Sequence, residues 1–205
     1  MRRLVIAVDC DDVLIPTAEA IINDYNDRFG TALELKDMYK PATLETWGTD
    51  DDDVAIERVY DFLRSEAHAA IVPEPEAVRA VKELAVRHEL HLVTGRASFL
   101  EELTREMLNR YFEGCFTSIE HTNFIVSSTN VSARRSKGDV CKAIGANLLI
   151  DDHVQHGHSV LEAELERVIV FGDYPWNQNE TLVEGMVRCH DWTGVLKEVE
   201  KLQRG

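Results

Sequence analysis

The chain has 205 residues, 44% of them hydrophobic, and a formal net charge of −15 at pH 7. Such a hydrophobic share excludes a disordered chain, and the length suits one core domain with an inserted or appended subdomain. The acidity argues against unspecific binding to a nucleic acid polymer or an anionic membrane, yet leaves room for a small phosphorylated substrate, because a bound cation reverses the local field. No stretch approaches the roughly 18 apolar residues of a membrane span. Cysteines 10, 115, 141 and 189 form no CxxC pair, so buried reduced thiols in a cytoplasmic protein are expected.

Val5-Ile6-Ala7-Val8 runs straight into Asp9, Cys10, Asp11 and Asp12. A continuous apolar run of this length reads as a strand buried on both faces of a parallel sheet. Asp9 and Asp11 are two apart, so on an extended chain they point to one side. Two such carboxylates repel one another, and a hard divalent cation, Mg²⁺ first, relieves this. A solvated acidic turn is the plainer alternative.

A helical pattern follows for about sixty residues. Ala18 to Phe29 carries Ile21, Ile22, Tyr25 and Phe29 on one stripe that stops at Gly30. Thr31 to Tyr39 predicts a short helix ended by Pro41, and residues 43–49, with Trp47, predict a loop. Asp50 to Asp53 reads as the acidic start of a helix whose apolar face is Ile56, Val59, Tyr60 and Leu63. Pro73-Glu74-Pro75 opens another helix, with Val78, Val81, Leu84 and Ala85 inward.

From there strand and helix alternate. Strands are predicted at Leu90–Val93, Phe116–Ile119, Phe124–Val126, Asn147–Ile150, Glu166–Phe171 and Met186–Arg188. Helices are predicted over Phe99–Arg110, Asp139–Ile144 and Asp191–Leu202. Such alternation predicts an α/β fold, a doubly wound and mainly parallel sheet. Residues 1–14 and 76–205 form the expected core, and 15–75 a helical cap inserted after the first strand. Strand ends then bring Asp9, Asp11, Thr94, Asp151 and Asp152 to one crevice, with Lys137 opening the helix that leads to the acid pair. A carboxylate nucleophile, a hydroxyl, a lysine and a second acid pair around a cation form a phosphoryl-transfer site.

The order and spacing resemble the haloacid dehalogenase superfamily. Its DxDx[T/V] motif matches Asp9 to Val13, its strand-ending Thr matches Thr94, its lysine matches Lys137, and its acid pair matches Asp151-Asp152. Within it the chain is most similar to the 5′(3′)-deoxyribonucleotidase family, through Leu148 to Asp152, Pro175-Trp176-Asn177 and Asp191-Trp192. Asp12 departs from the family's usual Gly, and Pro16-Thr17 is a second departure, standing where those nucleotidases place cap residues, often aromatic, that meet the base. The resemblance implies a Mg²⁺-dependent phosphomonoesterase acting on a nucleoside monophosphate, with a homodimer among the assemblies it allows. Asp9 attacks phosphorus and Asp11 serves as acid, then base. Mg²⁺ is held by Asp9, the Asp11 carbonyl and Asp152, with Asp151 acting through water. Thr94, Lys137 and the Gly95 N–H bind the phosphoryl oxygens.

Lys142 competes with Lys137 for the lysine role, but Lys137 has the helix start that favours phosphate. His153, His156 and His158 read as an exposed helix start rather than a second metal site, with His153 alone a candidate substrate contact. Among Tyr39, Trp47 and Tyr60, the loop residue Trp47 is the candidate to touch substrate, and Tyr60 belongs to the core. Arg96 either meets substrate phosphate or pairs with an acid. Sugar-phosphate phosphatases and mutases share this machinery, and a silent binding protein would share the fold. A phospho-receiver domain lacks the late acid pair.

Overall fold

The computed structural model describes residues 2–38, 46–122 and 135–204. The first strand, β1 (Val5–Val8), is followed by α1 (Thr17–Phe29), a 3₁₀ turn at Leu35–Asp37, α2 (Asp52–Leu63), α3 (Glu66–Ala69) and α4 (Pro75–Arg87). Then come β2 (Glu89–Thr94), α5 (Glu101–Tyr111), β3 (Phe116–His121), α6 (Lys137–Ile144), β4 (Leu148–Asp151) and α7 (Val154–Glu162). The chain ends with β5 (Arg167–Phe171), β6 (Met186–Cys189) and α8 (Trp192–Arg204). All six strands are parallel, in the order β3-β2-β1-β4-β5-β6.

The doubly wound architecture follows from strand alternation. Ile6, Val8, Leu90, Leu92, Leu148, Ile150, Ile169 and Phe171 point to one face, where α4, α5 and α8 supply Ala80, Val81, Leu84, Leu108, Trp192 and Val195. Ala7, Val93, Leu149, Val168 and Val170 point to the other, against Val140 and Cys141 of α6 and Val154 and Val160 of α7. Both faces are dry, which is why these strands read as unbroken apolar runs. All four cysteines are free and buried. Among the described residues no helix is long and apolar enough to cross a membrane.

The helical insert has its own cluster. Ile21, Ile22 and Tyr25 of α1 pack with Trp47, Ala55, Tyr60, Phe62 and Leu63, and Leu100, from beyond β2, joins them. Asp51 caps α2, accepting from the N–H groups of Asp53 and Val54, so this acidic run serves a helix start. The helix expected at 31–39 is, where described, only the 3₁₀ turn at Leu35–Asp37. Tyr39, Pro41 and the strand expected at Phe124–Val126 lie outside the described residues.

Candidate active site

β1 and β4 are neighbours in register, Val8 opposite Ile150, and the Asp9 N–H extends the pairing by donating to the Ile150 carbonyl at 2.9 Å. That single register places Asp9 beside Asp151 and Asp152 at the carboxyl edge of the sheet. Oxygens of these three acids lie within 4.8 Å of one another. All three residues are buried, at 5%, 0% and 2% exposure.

Buried carboxylates need partners. Lys137, the first residue of α6 and 4% exposed, supplies one: its Nζ is 2.7 Å from Asp9 Oδ2 and 2.6 Å from Asp151 Oδ2. Lys142 sits a turn later and is exposed. Asp151 accepts further bonds at Oδ1, from the His153 N–H at 2.9 Å and from His156 Nδ1 at 3.0 Å. Burial pushes its carboxyl up, but Lys137 and His156 together hold it well below the ordinary range. With both oxygens engaged, Asp151 is a poorer direct ligand than its neighbour. Asp152 Oδ2 accepts from His153 Nδ1 at 2.8 Å and from Trp176 Nε1 at 2.6 Å. Asn177 locks the same turn, donating to the carbonyls of Asp152 and Phe171.

Asp9 has a different environment. Burial, reinforced by Asp151 and Asp152 and opposed by Lys137, pushes its carboxyl up to about 8. Three clustered carboxylates with one lysine among them are the condition that a divalent cation relieves, and the donor set is the hard oxygen set suited to Mg²⁺. The residues present fit the ion.

Asp11 turns away from this trio. Arg96 Nε lies 2.9 Å from its Oδ2, Arg96 Nη2 2.7 Å from its Oδ1, and the Thr17 hydroxyl donates to Oδ1 at 2.5 Å. Burial pushes the Asp11 carboxyl up, yet the Arg96 guanidinium and these hydrogen bonds overcome it and hold it down at about 2. Arg96 is paired with an acid in this structure. Asp12 adopts φ 58°, the conformation for which Gly is the usual choice, and its Oδ1 accepts from the Ala18 N–H at 2.9 Å. Tyr174 donates to the Asp12 carbonyl at 2.8 Å.

Thr94 ends β2 fully buried, its hydroxyl accepting from the Arg96 N–H at 3.2 Å, with Gly95 half-buried beside it. Trp47 is corrected from an accessible loop aromatic to a core residue of the insert. It is 1% exposed and edge-on to Tyr25, with ring centroids 5.2 Å apart. The three histidines divide as well: His153 and His156 bond the acid pair, while His158 is exposed. His153 stacks between His156 and Trp176, with centroids 5.2 and 5.9 Å away. His68, which also bonds Arg96, carries no signal in the sequence that marks it, and Thr17, marked only for its place in the cap, bonds Asp11 instead. His68 lies between two alanines on a four-residue helix.

A parallel doubly wound sheet with an acid trio and a lysine at its carboxyl edge defines the class, a hydrolase with the haloacid dehalogenase fold. Solved structures agree on the fold. A haloacid dehalogenase-like hydrolase from Streptococcus pneumoniae aligns with TM-score 0.68 at 12% identity, covering 96% of this chain and 98% of its own. A predicted phosphatase from Clostridium acetobutylicum gives 0.66 at 13% identity, with 98% and 100% covered. A subfamily IA hydrolase from Geobacter sulfurreducens gives 0.61 at 15%, with 96% of each covered. No curated protein matches the sequence. Residues 3–203 match the family model described as 5′ nucleotidase, deoxy (Pyrimidine), cytosolic type C protein, and the chain belongs to that family. It is a phosphomonoester hydrolase.

Proposed function

We propose that the chain is a cytosolic, Mg²⁺-dependent nucleotidase that removes phosphate from (deoxy)nucleoside monophosphates. The observation that supports this best is Lys137, buried between Asp9 and Asp151 beside Asp152 at the edge of the sheet. The family's description supports the substrate class and the compartment. Asp9 is the nucleophile: its carboxylate oxygen bonds to phosphorus, the P–O ester bond breaks, and the electron pair leaves on the ester oxygen. Asp11 gives that oxygen a proton, which it takes up against the Arg96 pairing that favours its ionised form. A water then attacks the aspartyl phosphate, Asp11 takes the water's proton, and the Asp9 carboxylate is restored as inorganic phosphate leaves. Lys137, Thr94 and the Gly95 N–H bind the phosphoryl oxygens. Asp9, Asp152 and the Asp11 carbonyl would hold Mg²⁺, with Asp151 supporting the site, and the ion would supply charge neutralisation at the phosphoryl group. Residues 15–75 act as a cap over the crevice, and His153 borders the substrate.

Phosphate release from 5′- and 3′-(deoxy)nucleoside monophosphates and sugar phosphates, with Mg²⁺ and with a chelator, tests the reading. Metal-dependent release concentrated on nucleotides, absent in Asp9→Asn, is expected. Release from sugar phosphates alone would move the substrate class, and normal turnover in Asp9→Asn would remove the mechanism.

A further inference from the structure

Arg96 stands outside the acid trio, yet it is 4% exposed and every nitrogen of its guanidinium is engaged. Nε and Nη2 grip both oxygens of Asp11, Nη1 donates to the Thr104 hydroxyl of α5 at 3.1 Å, and Nη2 also reaches His68 Nε2 at 3.1 Å. A guanidinium only donates, so His68 accepts with Nε2, a tautomer assigned from this network. The backbone of Arg96 is pinned as well, its N–H to the Thr94 hydroxyl and its carbonyl to His121 Nδ1 at 3.2 Å. Asp11 itself has a side chain 29% exposed, more open than Asp9, Asp151 or Asp152. Without the fork, nothing of comparable rigidity among the described residues holds its orientation; Thr17 bonds one oxygen only.

We infer that Arg96 is the positioning residue for Asp11: its fork fixes the carboxylate for the water step, and His68 ties that orientation to the helical insert. The inference rests on the reading of Asp9 and Asp11 above. The fork is braced from both sides, by α5 of the sheet layer through Thr104 and by α3 of the insert through His68. The step that depends on it is hydrolysis of the aspartyl phosphate. There the water oxygen bonds to phosphorus, the bond from phosphorus to the Asp9 oxygen breaks with its electron pair returning to Asp9, and one water proton passes to Asp11. A carboxylate left to rotate meets that proton less often, and the covalent intermediate accumulates.

p-Nitrophenyl phosphate isolates this step, because its leaving group departs as phenolate without needing a proton. The full chain with Mg²⁺ is compared with Asp9→Asn, Arg96→Met, Arg96→Lys and His68→Leu by rapid mixing and by intact mass. Arg96→Met is expected to release a burst approaching one equivalent of p-nitrophenolate, then to turn over about 100-fold more slowly than the parent. The phosphoenzyme should be visible by mass. Arg96→Lys, which keeps the charge but not the fork, and His68→Leu, which keeps the fork but not its brace, should show smaller losses with the same burst. If the variants slow without a burst, or do not slow, the positioning role is overturned. Should Arg96→Met fail to fold, His68→Leu carries the same test. Failure of the underlying reading looks different: the parent itself is inactive, or Asp9→Asn is as active as the parent.

Discussion

Gly138 in α6 lies against the backbone of Ser159 in α7, so close that a Cβ at 138 would stand 2.3 Å from the Ser159 carbonyl oxygen. Only a residue without a side chain lets the two helices meet there, and the residue before it is Lys137. Backbone cannot swing aside as a flexible side chain does. Gly138→Ala is therefore expected to cost about 1–3 kcal/mol of stability. It should also lower phosphate release by displacing the lysine, both effects being read from a urea midpoint and a turnover assay.

Lys137 and Lys142 lie on the same short helix in opposite circumstances, one buried between two acids and the other exposed. Lys137→Met is expected to lower turnover about 100-fold or more, the scale of losing one charge-stabilising donor. Lys142→Met should stay within about 0.5 kcal/mol of the parent in stability and retain turnover. Steady-state kinetics with chemical denaturation checks both.

Asp12 combines an unfavourable backbone conformation with a useful side chain. Its φ of 58° is costly for any residue with a Cβ, while its carboxylate binds the N–H of Ala18 in the first turn of α1. Asp12→Ala keeps the cost and loses the bond, so a loss of about 1–2 kcal/mol is expected. Asp12→Gly loses the bond but also the backbone cost, and should fall closer to the parent. The order of the three urea midpoints decides it.

Burial, and then the Arg96 guanidinium, push the His68 imidazole down to about 4 from its ordinary 6.5. Between those values the unfolded chain binds more protons at this residue than the folded one, so stability falls as pH drops through the window. The neighbours that face it are Arg96, which opposes its protonation, and Asp11, which favours it. Relative to His68→Gln, the parent is expected to lose up to about 3 kcal/mol between pH 6.5 and pH 4, with no difference in slope above pH 7. Unfolding free energies of both proteins across pH 4–8 test this.

The catalytic order of the chain is legible because each motif is attached to a strand end. An apolar run that stops at Asp9, another that stops at Thr94 and a third that stops at Asp151 can be read without coordinates, since a strand buried on both faces has little freedom in composition. Lys137 is legible for a related reason, a polar residue opening a helix before the acid pair. Trp47 is the counterexample. Its neighbours show no helical or strand period, yet its ring is used inside the insert, because packing between α1 and α2 depends on a fold of the loop that local pattern does not encode.

By itself, then, the sequence determined the sheet, its helical layers and the identity of the acids, threonine and lysine at its edge, since periodicity and strand-end position are local properties. The tertiary structure decided how those groups are paired. That Arg96 grips Asp11 rather than standing free, that His68 reaches across 28 positions to brace it, and that Trp176 reaches back 24 positions to an oxygen of Asp152 all depend on distances between segments far apart in the chain. A buried charge takes whatever partner the packing brings within about 3 Å, and no pattern in one segment specifies which side chain of another will arrive there.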